Sequence, residues 1–150
     1  MQISNKNQGF TLIELIVVIA IISILSGVIL FSVSQYINKG KDSNIAGNLA
    51  VLVPAGEVYY NSNGYSYVGF CDSNVVINAK NQMPDNPNGS CYNSSTNLKG
   101  VCCYAQGQAW VACAREFTDS TKAFCVDSRG VKKEIFNTSC TGIMNPVQCP

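Results

Sequence analysis

From Phe10 to Phe31 the chain reads FTLIELIVVIAIISILSGVILF, an apolar run whose only polar or charged side chains are Thr11, Glu14, Ser23 and Ser26. About 22 residues is enough for one helix to cross a bilayer, which takes roughly 20. A cleaved secretory signal would have a shorter apolar core of roughly 7–15 residues and then a small-x-small site. Here the small residues Ser26 and Gly27 are followed by Val-Ile-Leu-Phe, so no such site is well placed. The run therefore predicts a membrane-spanning helix, and a plain anchor explains everything in it except Glu14. A charged group at the centre of a membrane helix costs roughly 2.5–3.5 kcal/mol on insertion scales, and such residues have partners. The segment holds no opposite charge, so the partner is expected from another chain or from a charge created by processing. Cutting before Phe10 would create an α-amino group there, and Gly9 lets a protease approach the backbone closely.

The eight cysteines, Cys71, Cys91, Cys102, Cys103, Cys113, Cys125, Cys140 and Cys149, all lie C-terminal to the apolar run. The chain has no His and no C-x-x-C pair, so the usual zinc spacings are absent and disulfides are expected instead. Disulfides place this part outside the cytoplasm. Charge supports that orientation weakly, because Lys6 and the Met1 amine precede the span while Lys39, Lys41 and Asp42 follow it. Ten Lys+Arg balance nine Asp+Glu, which gives no electrostatic case for nucleic acid as a partner. Lys132 and Lys133 in GVKKE read as a solvated strand edge rather than a DNA contact.

The stretch GFTLIEL at Gly9–Leu15, continuing IVVIAIISILSGV, resembles the N-terminus of type IV pilins and of the pseudopilins of type II secretion systems. The shared features are a short polar leader with Lys6, the glycine, the Phe, a Glu four residues after it, and an apolar helix. The resemblance implies that a prepilin peptidase cuts between Gly9 and Phe10 on the cytoplasmic side and N-methylates Phe10. It implies that Glu14 pairs with the Phe10 amino group of a neighbouring subunit, so that Phe10 and Glu14 are assembly residues. The implied partners are copies of the chain and other pilins in a helical filament, the peptidase, an inner-membrane assembly platform, and lipid before assembly. DNA binding has no support. The implied location is the inner membrane for the precursor and the cell surface after assembly.

Apolar residues recur at Val33, Ile37, Ile45, Leu49, Leu52 and Tyr59 with helical spacing, so one helix is expected from Phe10 to about Asn61, roughly 78 Å long. Pro54 predicts a bend near Leu52–Pro54, and YYNSNGYS ends the helix with Asn and Gly. Many pilins carry a proline in the outer part of the membrane-spanning helix, at the position where this chain has Phe31. The breakers in residues 81–100 predict a loop. NGS, NSS and NTS match glycosylation sequons at Asn88, Asn93 and Asn137, matches expected by accident in so Asn-rich a chain.

VCCYAQ and AWVACARE flank Gly107-Gln108, and AFCVD and GVKKEIF flank Ser128-Arg129, which predicts two hairpins. The expected fold is α+β and type IV pilin-like, with the long helix on a small antiparallel sheet. The boundaries expected are a leader at 1–9, a polymerisation helix at 10–33, its amphipathic extension at 34–62 and a disulfide-rich head at 63–150. Adjacent Cys102 and Cys103 should face opposite sides of their strand. With Gly107-Gln108 as the loop, Cys102 falls opposite Cys113, while a one-residue slip brings in Cys103. The pilin resemblance points to Cys140 with Cys149, closing a C-terminal loop. Without His there is no Ser-His or Cys-His nucleophile, Asp127 reads as a turn residue, and no catalytic residue, cofactor or metal is expected. The alternatives are a pseudopilin or minor pilin of a secretion or DNA-uptake system, and a membrane-anchored extracellular binding module.

Overall fold

The computed structural model describes residues 9–86, 100–141 and 147–150. Its elements are α1 (Leu12–Ser62), a 3-10 turn (Phe70–Asp72), α2 (Asn74–Gln82), β1 (Val101–Gln106), β2 (Ala109–Arg115), β3 (Lys122–Asp127), β4 (Lys132–Phe136) and α3 (Asn137–Thr141). The chain divides into two compact units, Met1–Tyr36 and Ile37–Pro150.

In the second unit the four strands form an antiparallel meander in the order β1-β2-β3-β4. Local turn chemistry sets the register. Gly107, at φ 53°, supplies the left-handed residue of a tight turn, and Cys102 faces Cys113 across the hairpin. The second turn is longer than the expected Ser128-Arg129. Gly130 N–H donates to Asp127 C=O at 3.0 Å, and Gly130 itself has φ 79°. A three-residue loop of this kind places its glycine where an L side chain would be strained.

One sheet face meets α1. Ile45, Leu49 and Leu52 pack with Trp110, Ala112 and Ala114 of β2, with Val101, Cys103 and Val126, and with Phe70 and Val76. Ile45, Leu49 and Leu52 of the helical stripe are buried, whereas Val33 and Ile37 stay exposed. Asp42 reaches the β2–β3 loop, accepting hydrogen bonds from Phe117 N–H at 2.6 Å and Thr118 N–H at 3.1 Å. Lys41 Nζ lies 4.6 Å from the centroid of the Phe117 ring. At the helix end Tyr59 Oη donates to Val68 C=O at 2.9 Å. Tyr67 Oη donates to Glu57 Oε1 at 2.9 Å; burial first, and then Glu57, push its pKa up to about 12. Pro54 does not end α1, which runs on to Ser62.

The other sheet face is buried too, by a layer additional to the expected packing of the long helix on the sheet. Val111, Ala123 and Ile135 pack there with Cys102, Cys113, Cys125, Cys140 and Cys149. Cys103 lies on the helix side and bonds to Cys71, so the two adjacent cysteines do serve opposite faces. The expectation that Cys140 bonds to Cys149 is overturned: Cys113 bonds to Cys140 and Cys125 to Cys149. Cys102, Cys113 and Cys125 stand at facing register positions on three neighbouring strands. They meet α3 and the C-terminal residues as these cover the apolar face, so the bonds tie cover to sheet instead of closing the tail on itself. Cys102 is opposite Cys113 in register but not bonded to it, and it too is in a disulfide. Cys91, Asn88 and Asn93 lie outside the described residues; Asn137 opens α3.

Gly56 gives a test of the helix-side core. A Cβ built there would sit 2.6 Å from Trp110 Nε1 and 3.0 Å from Cε2, with the indole fully buried. At Gly47, in the same helix, it would meet nothing within 4 Å. Helix propensity alone makes Gly→Ala worth about +1 kcal/mol at either site. Overpacking a rigid ring costs about 3 kcal/mol. Gly56→Ala should therefore destabilise by about 2 kcal/mol while Gly47→Ala stabilises, as read from thermal unfolding of Trp110 fluorescence. A Gly56→Ala variant stabilised as Gly47→Ala is would show that the indole moves aside at no cost.

Candidate functional site

The first unit is described by residues 9–36 of the chain, and from Leu12 its backbone is helical. Its apolar side chains are uncovered all round the helix. Leu12, Ile13, Leu15, Ile16, Val17, Val18 and Ile19 are exposed, as are Ile21, Ile22, Ile24, Leu25, Val28, Ile29 and Leu30. A helix apolar on every side requires an apolar surrounding, either lipid or other helices. The helix is long and apolar enough to cross a membrane. Within it Ser23 Oγ returns a hydrogen bond to Ile19 C=O at 2.7 Å, which satisfies its hydroxyl without a neighbour.

At the start of the helix the structure brings Thr11 and Glu14 together, with Gly9 and Phe10 just before them in the chain. Phe10 is 94% exposed. Thr11 immediately precedes the first helical residue, and Glu14 is the third residue in. Thr11 N–H donates to Glu14 Oε2 at 2.8 Å, and Thr11 Oγ1 donates to the same oxygen at 2.7 Å. Glu14 N–H donates back to Thr11 Oγ1 at 3.3 Å. These reciprocal bonds make a capping box. The expectation of no partner inside the segment therefore needs correcting: Thr11 gives Glu14 two neutral donors. The carboxylate is hydrogen-bonded, but no cation neutralises it among these contacts. The signal for this was legible, since T-x-x-E ahead of an apolar run is the sequence form of the box.

The model of the family described as "Prokaryotic N-terminal methylation motif" matches residues 4–30, which include all four of these residues. The chain is 48% identical over 46 residues to the type IV major alpha-pilin of Moraxella bovis. The N-terminal segment is type IV pilin-like. It has the same identity over the same length to fimbrial protein Q of Moraxella bovis. Each match takes in 31% of this chain and spans only 29% of the relative's own length. No solved structure gives a significant match. Beyond the matched segment, the long helix, the four-stranded antiparallel sheet and the disulfides make up a type IV pilin-like α+β fold.

Elsewhere, the Sγ atoms of Cys102, Cys113 and Cys140 lie within 4.8 Å of one another, a spacing that could suit a metal. All three are in disulfides, so they offer no thiolate. Asp127, expected as a turn residue, does more than that. Fully buried, it accepts bonds from Arg129 N–H at 2.9 Å, Val131 N–H at 3.3 Å and Cys149 N–H at 3.0 Å. The Arg129 guanidinium meets it at 2.6 Å and also donates to Cys149 C=O at 3.1 Å. The local sequence CVDSRG encodes the turn; nothing near it in sequence points to Cys149.

Proposed function

We propose that this chain is the structural subunit of a type IV pilus or a related filament, and not an enzyme. It is made as a precursor with a leader at residues 1–9. A prepilin peptidase cuts it between Gly9 and Phe10, Phe10 is N-methylated, and the product polymerises through its N-terminal helix. The observation that carries this reading is the uncovered apolar helix headed by Glu14 inside the matched segment. Before assembly, lipid covers that helix; in the filament, other copies of it do. The new amino group of one subunit supplies the cation that Thr11 cannot, and pairing it with a neighbour's Glu14 sets the axial register between them. A membrane-tethered binding module would share the disulfide-bonded domain but would need neither Gly9-Phe10 nor Glu14.

The deciding experiment is the intact mass of the chain in filaments sheared from its host, with and without reduction. The expected species starts at N-methyl-Phe10 and gains two hydrogens per disulfide on reduction. A chain beginning at Met1 and found only in the membrane would establish the tethered module instead.

A further inference from the structure

We infer that Cys102 and Cys113 bond to each other first during oxidative folding, and that Cys140 then takes Cys113 from Cys102 by disulfide interchange. The geometry that points to this is the trio of buried sulfurs within 4.8 Å of one another, on one face of β1 and β2. Cys102 and Cys113 face each other across a hairpin closed by a tight turn at Gly107. They are eleven residues apart in sequence, whereas Cys113 and Cys140 are separated by 27. Loop closure alone makes the shorter encounter more frequent by on the order of fourfold. Hairpins form within microseconds. Cys140 reaches the face only after β3 and β4 have been laid down, because α3 follows β4 directly. The sulfur that is local in sequence therefore competes for Cys113 before the one that holds it in the finished fold.

The chemistry balances. An oxidant of the disulfide class removes two electrons and two protons from the Cys102 and Cys113 thiols, forming their bond. The Cys140 thiolate then attacks Cys113 Sγ. The Cys113–Cys140 bond forms as the Cys102–Cys113 bond breaks, and the electron pair leaves on Cys102 as a thiolate, with no net oxidation. Exchange of this kind needs the attacker at the disulfide sulfur, and the folded spacing of the trio provides that contact. Cys102 is thereby released for its own final disulfide. This route is independent of the filament reading.

The test is refolding of the full reduced chain in detergent micelles with oxidised and reduced glutathione, quenched with N-ethylmaleimide at intervals and mapped by peptide mass spectrometry. A Cys102–Cys113 linkage should rise early and decay as Cys113–Cys140 rises. Appearance of Cys113–Cys140 with no Cys102–Cys113 precursor at any interval would overturn the inference. In Cys140→Ser the hand-over cannot occur, so Cys102–Cys113 should persist as the main end product. A Cys140→Ser product with Cys113 free or glutathionylated, and no Cys102–Cys113 bond, would overturn it as well.

Discussion

Glu14→Ala should abolish surface filaments while leaving the chain in the membrane. The carboxylate has two separable roles, and the structure shows one of them: Glu14 closes the capping box on Thr11. A box of this kind is worth about 1 kcal/mol, too little to decide whether a fibre forms. The proposed role is the other, a charge in an apolar surrounding that stays costly until a neighbour's amino group meets it, at several kcal/mol per unpaired charge. Glu14→Gln separates the two. Glutamine at this position still serves a capping box, but it carries no charge. If Glu14 is only a cap, Glu14→Gln should make filaments of near-normal number and length. If the charge pairs subunits, Glu14→Gln should fail almost as completely as Glu14→Ala, with both variants accumulating in the membrane. Electron microscopy of sheared material and immunoblots of membrane and sheared fractions read the result, and normal filaments from Glu14→Ala would sink the assembly role outright.

The second large effect is expected at Asp127. Asp127→Ala removes the acceptor for the Cys149 and Val131 N–H groups and for the Arg129 side chain. An unsatisfied buried donor costs about 1–3 kcal/mol. The Arg129 side chain is half exposed, so water compensates much of its loss. A total near 3 kcal/mol is expected, which for a domain of this size lowers the melting temperature by on the order of 10 °C. The loss has a pH signature. Burial works to raise the Asp127 pKa, but the hydrogen bonds from the Arg129 side chain and from the Cys149, Arg129 and Val131 N–H groups outweigh it. The group is held below the usual aspartate range. Its contribution is therefore fully present above the unfolded-state pKa and is lost as pH falls through the lower folded value. The wild-type chain should lose stability below about pH 4, and Asp127→Asn, less stable at neutral pH, should lack that part of the acid slope. Thermal unfolding followed by near-ultraviolet circular dichroism from pH 7 down to pH 2 checks both. An Asp127→Asn curve parallel to wild type throughout would mean the carboxylate does not clamp the tail.

Much of this could be read from the chain alone because the determinants are local. The 3.6-residue period predicted Ile45, Leu49 and Leu52 as a packing face, and they are buried. Gly107-Gln108 between two apolar runs predicted the first hairpin and placed Cys102 opposite Cys113. T-x-x-E stood in plain view at Thr11–Glu14. The tail was misread because its partners are remote in sequence. The loop-closing bond between Cys140 and Cys149 that the pilin resemblance implied joins near neighbours in sequence, yet the tail has an apolar sheet face to cover and three cysteines already on it. Gly56 likewise looks like a defect in a helix until Trp110, far away in the chain, comes to lie against its missing side chain.

By itself the sequence determined the long helix, the two hairpins and the charged head of the apolar helix, since each follows from residues within a few positions of one another. Which cysteine bonds to which, what Asp127 holds and why position 56 has no side chain were decided only by tertiary structure. Those outcomes depend on which distant surfaces exclude water against each other.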